Sequence, residues 1–281
     1  MTKNIAILMT VHNRRNKTLE CLSSLYASTL PAEYKFSVFL VNDGCTDGTK
    51  EAIEESYPDV TIIQGNGNLF WNRGMRLAWQ TAVFAFDFDY YVWFNDDVIL
   101  YNNALIDLIQ SAEGTNNEAM VCGTTCSTDE PTHITYGGRI RKTGIIQPNG
   151  HLQSCDCCNG QLCLIPKKVY KVMGMNDPLF HHGFGDWDYG FRAKKKNIDI
   201  LVAPRLSGTC DENSNDTFPP YLNPNYTLRR RLKILYSPTG KNPYQTFVYT
   251  YRHNSLISAL ITYIMLHIEV FFISINSKNN K

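Results

Sequence analysis

Residues 91–99 read YVWFNDDVI, an apolar run that stops on Asn95-Asp96-Asp97 and then turns apolar again. Aromatic and β-branched residues suit a buried strand. Two adjacent carboxylates cannot be buried at its end without a compensating cation. Hard oxygen ligands of this kind suit Mg²⁺ or Mn²⁺, ions that commonly also hold substrate phosphates. Taken alone, the stretch is equally compatible with a strand ending in a solvated acidic turn, so the surrounding sequence has to decide.

Upstream, residues 5–9, 36–41 and 60–64 read as short apolar strands. Segments 16–28, 47–56 and 73–86 read as helices, with Asn16 and Asp47 as N-terminal caps of the first two. Strands thus alternate with helices through residue 113. This predicts an α/β fold with a mostly parallel sheet flanked by helices on both faces. Polar clusters at 10–15, 42–47, 65–73 and 95–97 each follow a predicted strand. In such sheets ligands bind at the carboxyl ends of the strands, so these clusters converge on one edge. Downstream, Tyr136-Gly137-Gly138 and Pro148-Asn149-Gly150 mark turns between short β-like runs. Pro166 opens a helix to about Met173 that Gly174 ends. Asp186 opens another to Asn197, and 198–203 reads as a strand. Residues 206–245 are rich in Pro, Asn and Ser and predict no element, and 256–275 is apolar.

The 281-residue chain is long enough to bury a full core. With 43% hydrophobic and 19% charged residues it is globular rather than disordered. A net charge of +1 leaves no general nucleic-acid footprint. The basic runs Lys194-Lys195-Lys196 and Arg229-Arg230-Arg231 read as solvated helix ends. No export signal opens the chain, so its nine cysteines are expected as thiols in a reducing compartment, here the cytoplasm. Cys155, Cys157, Cys158 and Cys163 crowd together but lack the paired C-x2-C spacing of structural zinc sites, and read as small buried side chains near a ligand pocket.

With these residues laid out, the chain resembles the family 2 glycosyltransferases, which have a GT-A fold. The likeness covers roughly residues 3–210 and rests on five ordered segments: TVHNR at 10–14, VNDGCTDGT at 41–49, GNLFWNRGM at 67–75, WFNDDV at 93–98 and GDWDYGFR at 185–192. The resemblance implies inverting transfer of a sugar from a nucleotide-diphosphate donor to an acceptor hydroxyl, assisted by Mn²⁺ or Mg²⁺. It implies a glycan or lipid-linked glycan acceptor, as in polysaccharide or cell-envelope glycan synthesis. Thr10 and Val11 fall where the family touches the nucleotide base, Arg14 close to the nucleotide, and Asp43 where an acidic residue accepts a hydrogen bond from the base. Asp43-Gly44 also fits simple turn chemistry. Asn68, Trp71 and Gly74 fall in the loop that borders nucleotide and donor sugar, with Trp71 either a core plug or a sugar platform. Asn95-Asp96-Asp97 matches the D-x-D signature. Asp96 then faces the ribose and Asp97 ligates the metal.

By the same resemblance Asp186 is the catalytic base, with Asp156, Asn159 and Asp188 on the acceptor side. Gly185 stands where many members have Glu. A further metal ligand, usually His, would fall near Cys210-Asp211, and the pattern does not choose between Cys210, Asp211 and none. His181, His182 and His253 are other candidates for that ligand, with nothing in the pattern to choose among them. The expected organisation is a catalytic unit over 1–205, with a nucleotide-sugar half to about 113 and an acceptor half over 114–205. A C-terminal extension over 206–281 would carry an apolar helix at about 255–275. That helix either packs on the catalytic unit, lies on the inner face of the membrane near Arg229-Arg230-Arg231 and Arg252, or spans it. Glu269 inside the run opposes a span. Two other classes compete with this reading. One is a non-catalytic sugar-binding or scaffold protein on the same fold. The other is a sugar-1-phosphate nucleotidyltransferase, whose glycine-rich basic loop is missing from residues 10–17.

Overall fold

The computed structural model describes residues 2–212 and 219–279, with side chains through 272. Residues 213–218 of the unpredicted segment and the end of the apolar run's side chains lie outside the described residues. The first half alternates β1 (Lys3–Val11), α1 (Arg15–Tyr26), β2 (Tyr34–Asn42), α2 (Thr49–Ser56), β3 (Thr61–Gln64), α3 (Phe70–Ala85) and β4 (Tyr90–Phe94). There follow β5 (Ile99–Leu100), α4 (Ala104–Glu113), β6 (Met120–Cys126), β7 (Ile134–Tyr136), β8 (Gly138–Ile140), β9 (Gly144–Ile145), β10 (Gln153–Ser154), β11 (Cys157–Cys158) and β12 (Leu162–Pro166). Then come α5 (Lys167–Met173), α6 (Gly185–Lys195), β13 (Ile200–Thr209), α7 (Leu228–Leu235), α8 (Pro243–His253) and α9 (Leu256–Asn279).

The main sheet runs β3-β2-β1-β4-β12-β6-β13-β10. β1 pairs in parallel with both β2 and β4, β2 with β3, and β6 with β13. β12 is antiparallel to both neighbours, β4 and β6, so the sheet is mixed at its centre. The alternation along β1 explains why helices cover both faces. Ile5, Ile7 and Met9 join the core under α1 and α4, while Ala6 and Leu8 join the core under α3 and α6. A second small sheet, β11-β8-β9, lies beside this frame.

Two helix starts differ from expectation. Asn16 lies inside α1, whose N-cap is Arg14 with no capping side-chain bond. α3 begins at Phe70 rather than Arg73, through a left-handed Phe70 at φ 54°. Asp47 does bind the start of α2, accepting from the Thr49 amide at 3.2 Å. The segment after β13 folds as α7 and α8, and Asn242 caps α8 by accepting from the Tyr244 and Gln245 amides. α9 buries Ala259, Leu266 and Val270, the latter two in a small core with Tyr221 and Leu235. Its opposite stripe of Ile257, Leu260, Ile261, Ile264, Ile268 and Phe271 is exposed. Among the described residues no helix is long and apolar enough to cross a membrane. Arg231 is buried, so only Arg229 and Arg230 of that run face solvent. Arg252 is held by Asp177 at 2.6 Å and Asp188 at 3.3 Å, and so is committed within the protein rather than free for lipid.

Candidate active site

The carboxyl ends of β1, β2 and β4 open into a cleft of about 250 Å³. Thr10 and Val11 line it from the end of β1, Arg14 from the N-cap of α1, Asp43 from just after β2, Asp96 and Asp97 from just after β4, and Trp71 from the start of α3. The structure therefore brings these seven sequence-derived residues to one place. His12, Phe70 and His182 also line the cleft. The sequence offers His182 only as one of several candidate metal ligands, and gives His12 and Phe70 no role although they lie inside the TVHNR and GNLFWNRGM segments.

Asp43 builds the cleft as much as it lines it. It is buried, and its carboxylate accepts from the backbone amides of Gly67 at 2.8 Å, Leu69 at 2.9 Å and Phe70 at 3.0 Å. These bonds fold the glycine-rich loop onto the end of β2. A Cβ at Gly65 would stand 2.7 Å from Asp43 Oδ1, so the approach requires glycine there. Gly74 is likewise a matter of space, since a Cβ would lie 2.3 Å from Thr10 Oγ1 and push α3 off β1. Asn68 is exposed, does not line the cleft, and offers its carbonyl to His181 Nε2 at 2.7 Å.

The paired carboxylates are nearly buried. Arg14 Nη1 reaches Asp97 Oδ2 at 2.6 Å and Asp96 Oδ1 at 3.3 Å. Asp96 Oδ2 remains buried without a hydrogen-bond partner. Burial, reinforced by the charge on Asp97, pushes Asp96 up to about 7. An orphaned carboxylate oxygen beside a second carboxylate fits a hard divalent cation. Among the described residues no group of three or more His, Cys, Asp or Glu could hold a metal. A cation here would therefore draw most of its ligands from substrate and water. Cys210 Sγ lies 3.6 Å from Asp97 Oδ1, but burial keeps it protonated and a thiol is a poor ligand for such an ion. Asp211 Oδ1 accepts from the Thr128 amide at 2.8 Å and from Ser127 Oγ at 3.2 Å. Cys158 and Cys163 are buried with their sulfurs 3.5 Å apart in the core.

Asp186 sits in the first turn of α6. Its Oδ2 accepts from the Gly160 amide at 2.9 Å and its Oδ1 from the Trp187 amide at 2.8 Å. Burial pushes it up to about 6, against the pull of those two amides. Trp71 links this carboxylate to the other pair. Its Nε1 donates to Asn95 Oδ1 at 2.6 Å, and its ring packs so closely on Gly160 that a Cβ there would lie 2.2 Å from Trp71 Cζ2. Asn95 is thus occupied with the indole rather than offered to a metal. Trp71 also meets Trp93 edge-on at 5.6 Å, so it plugs the core and walls the cleft at once.

Both helices at the site start from strained backbone. Phe70 and Phe184 are non-glycine residues at φ 54° and 68°. Conformations of that kind cost on the order of 1–3 kcal/mol and persist only where the surroundings impose them. Gly185 has no room for a side chain, because a Cβ would lie 1.9 Å from Asn72 Oδ1. Asn72 is itself buried and donates to the carbonyls of Asp177 and Phe180.

The acceptor-side expectations fare unevenly. Asp188 is not brought to the site. It is fully buried, and Arg192 at 2.7 Å, Arg252 at 3.3 Å and His253 at 3.0 Å satisfy it. Its pKa stays low because those partners outweigh the opposing effect of burial. It ties α6 to α8 and so positions the helix that carries Asp186. Asp156 accepts from the Arg141 amide at 2.9 Å in the small sheet and does not line the cleft. Asn159 precedes Gly160, and its Oδ1 is buried without a partner.

A mostly parallel sheet flanked by helices is the fold of the GT-A glycosyltransferases. Three solved structures share the fold. A mannosyltransferase from Pyrobaculum calidifontis, in complex with GDP-Man and Mn²⁺, has a TM-score of 0.58 at 12% identity, covering 100% of this chain and 76% of that one. GalNAc-T7 with UDP, GalNAc and Mn²⁺ has a TM-score of 0.59 at 12% identity, over 95% of this chain and 54% of that one. TarS of S. aureus has a TM-score of 0.56 at 13% identity, over 92% of this chain and 44% of that one. The chain thus spans about half the length of GalNAc-T7 and less than half of TarS. The sequence model of Glycosyl transferase family 2 matches residues 6–174, and the chain belongs to that family. No curated protein matches it.

Proposed function

We propose that the protein transfers a sugar from a nucleotide-diphosphate donor to an acceptor hydroxyl, with inversion at the anomeric carbon, in polysaccharide or cell-envelope glycan synthesis. Trp71 carries this reading: one indole joins the Asn95-Asp96-Asp97 segment to the glycine that holds Asp186. The two carboxylate functions are thereby kept in a fixed relation.

Asp97, with Asp96 beside it, would hold a divalent cation, which when bound supplies positive charge to the leaving diphosphate. The Mn²⁺ in two related structures supports this ion, and Mg²⁺ is its hard-ligand equivalent. Arg14 adds a fixed positive charge to the same wall. Thr10 and Val11 at the end of β1 suit contact with the base through backbone, and Asp96 suits the ribose. Burial pushes the Asp186 carboxyl up to about 6, still on the ionised side at pH 7, so it can take the acceptor hydroxyl's proton as general base. Attack from the face opposite the diphosphate inverts the configuration, and no covalent nucleophile takes part.

Residues 1–205 act as the catalytic unit in this reading. The exposed apolar stripe of α9 serves as a peripheral attachment to the inner face of the cell membrane. Exposed Arg229 and Arg230 lie on nearby α7, where they favour anionic lipid. A donor screen tests the central claim. Purified protein with Mn²⁺ and UDP-, GDP- or dTDP-sugars should release the nucleoside diphosphate from at least one donor. Release from none would favour a sugar-binding protein on this fold.

A further inference from the structure

A second and larger cavity, of about 980 Å³, opens beside the cleft. The loop before α6 separates the two: His182 lines the cleft, while Gly183 and Phe184 line the second cavity. Asp186 follows two residues after Phe184 in the first turn of α6, though its side chain lines neither cavity. Its far wall is α7 and the turn after it.

The charge of this cavity is one-sided. Arg230, Lys233 and Lys241 line it, and among the described residues no Asp or Glu does. Arg230 is pre-positioned, its guanidinium 3.7 Å from the centre of the Tyr226 ring. The neighbouring Arg231 is buried behind this wall, with Nε and Nη1 lacking hydrogen-bond partners. Phe184, Tyr221 and two prolines supply an apolar floor. Cations without carboxylates select an anion, and rings with prolines select an apolar or sugar body attached to it.

We propose that this cavity binds the acceptor through a phosphate or diphosphate group, with the body attached to that phosphate resting on Phe184 and Tyr221. The proposal rests on the glycosyltransferase reading and adds the chemical class of the acceptor. The phosphate belongs either to a lipid diphosphate carrier or to a phosphorylated sugar, and the two share the recognition described.

Equilibrium binding of three probes tests it: farnesyl diphosphate, glucose 1-phosphate and inorganic pyrophosphate. The measurements are made in EDTA, so that metal-dependent binding in the donor cleft is silent. The full chain is compared with Arg230→Gln/Lys233→Gln, both exposed positions whose change leaves the core intact. At least one probe should bind, and the double variant should weaken it by about tenfold or more. Tighter binding of farnesyl diphosphate than of pyrophosphate assigns the lipid carrier, and tighter binding of glucose 1-phosphate the phosphorylated sugar. No binding by any probe, or equal binding by the variant, overturns the proposal. A parallel titration with UDP or GDP and Mn²⁺ separates the two readings. If a nucleoside diphosphate binds while the phosphate probes do not, the acceptor proposal alone is wrong. If no nucleoside diphosphate binds, the glycosyltransferase reading fails with it.

Discussion

The backbone amide of Gly160 donates to Asp186 Oδ2 at 2.9 Å, and the same glycine receives the edge of Trp71. A methyl group at residue 160 would meet both constraints at once. Gly160→Ala should push the indole off Asn95 and loosen Asp186, at an overpacking cost of about 1–3 kcal/mol. The expected outcome is a lowered melting temperature together with a loss of transfer of about tenfold or more. An alanine variant with wild-type stability and rate would show that this contact is slack.

Asp186→Asn should leave donor binding intact and reduce transfer by about 10²–10⁴-fold. The Asn side chain can still accept from one of the two amides that hold Asp186, so the fold should survive. Calorimetry with the nucleoside diphosphate and a steady-state rate assay separate the two effects. A near-normal rate would reduce Asp186 to a residue that merely favours the start of α6.

The pH profile carries a definite sign. A general base must be ionised, and burial pushes Asp186 up to about 6. Transfer should therefore fall as pH drops through about 6, and be about tenfold lower one unit below than on the neutral plateau. Asp96 is also pushed up, by burial and the charge on Asp97, and a bound cation beside it would pull it back down, so its effect falls on donor binding. Rates at saturating donor in wild type and Asp186→Asn distinguish the two, because the acid limb belonging to Asp186 should be absent from the variant's residual rate.

Asp97→Ala should abolish metal-dependent binding of the nucleoside diphosphate. Titration in Mn²⁺ and in EDTA reads the effect. The wild-type protein should bind more tightly with Mn²⁺, and the variant should bind equally weakly in both. Unchanged affinity in the variant would remove Asp97 from the metal site.

For the membrane, flotation of the full chain with anionic liposomes is the direct measurement. Ile257 and Ile264 are 71% and 54% exposed, so Ile257→Glu/Ile264→Glu changes the stripe without opening the core. The wild-type chain should float and the variant should remain at the bottom of the gradient. If both stay behind, lipid is not what covers α9.

How much of this was legible in the sequence follows from which forces act locally. β1, β4 and the second half of β2 announce themselves because both faces of the strand are covered there, which writes an apolar run ending on polar residues. The convergence of Thr10, Asp43 and Asp97 then follows from parallel strand direction alone. Asp188 was misread because only one of its partners, Arg192, stands at helical spacing. Arg252 and His253 arrive from α8, more than 60 residues away in sequence. The start of α3 escaped because a left-handed phenylalanine is imposed by the Asp43 carboxylate holding the amides of Leu69 and Phe70. α7 escaped although Leu228, Leu232 and Leu235 stand at helical spacing, because it is only eight residues long and sits inside a stretch rich in Pro, Asn and Ser.

Residues 182–184 form a party wall, one side facing the donor cleft and the other the larger cavity. A substitution that widens one room narrows the other. If the cleft takes the donor and the cavity the acceptor, as proposed, a new donor and a new acceptor are not independent inventions. Selection for either should leave paired changes, one in the loop and one in whichever cavity has to accommodate it. An engineer who alters the loop alone should see both specificities drift together.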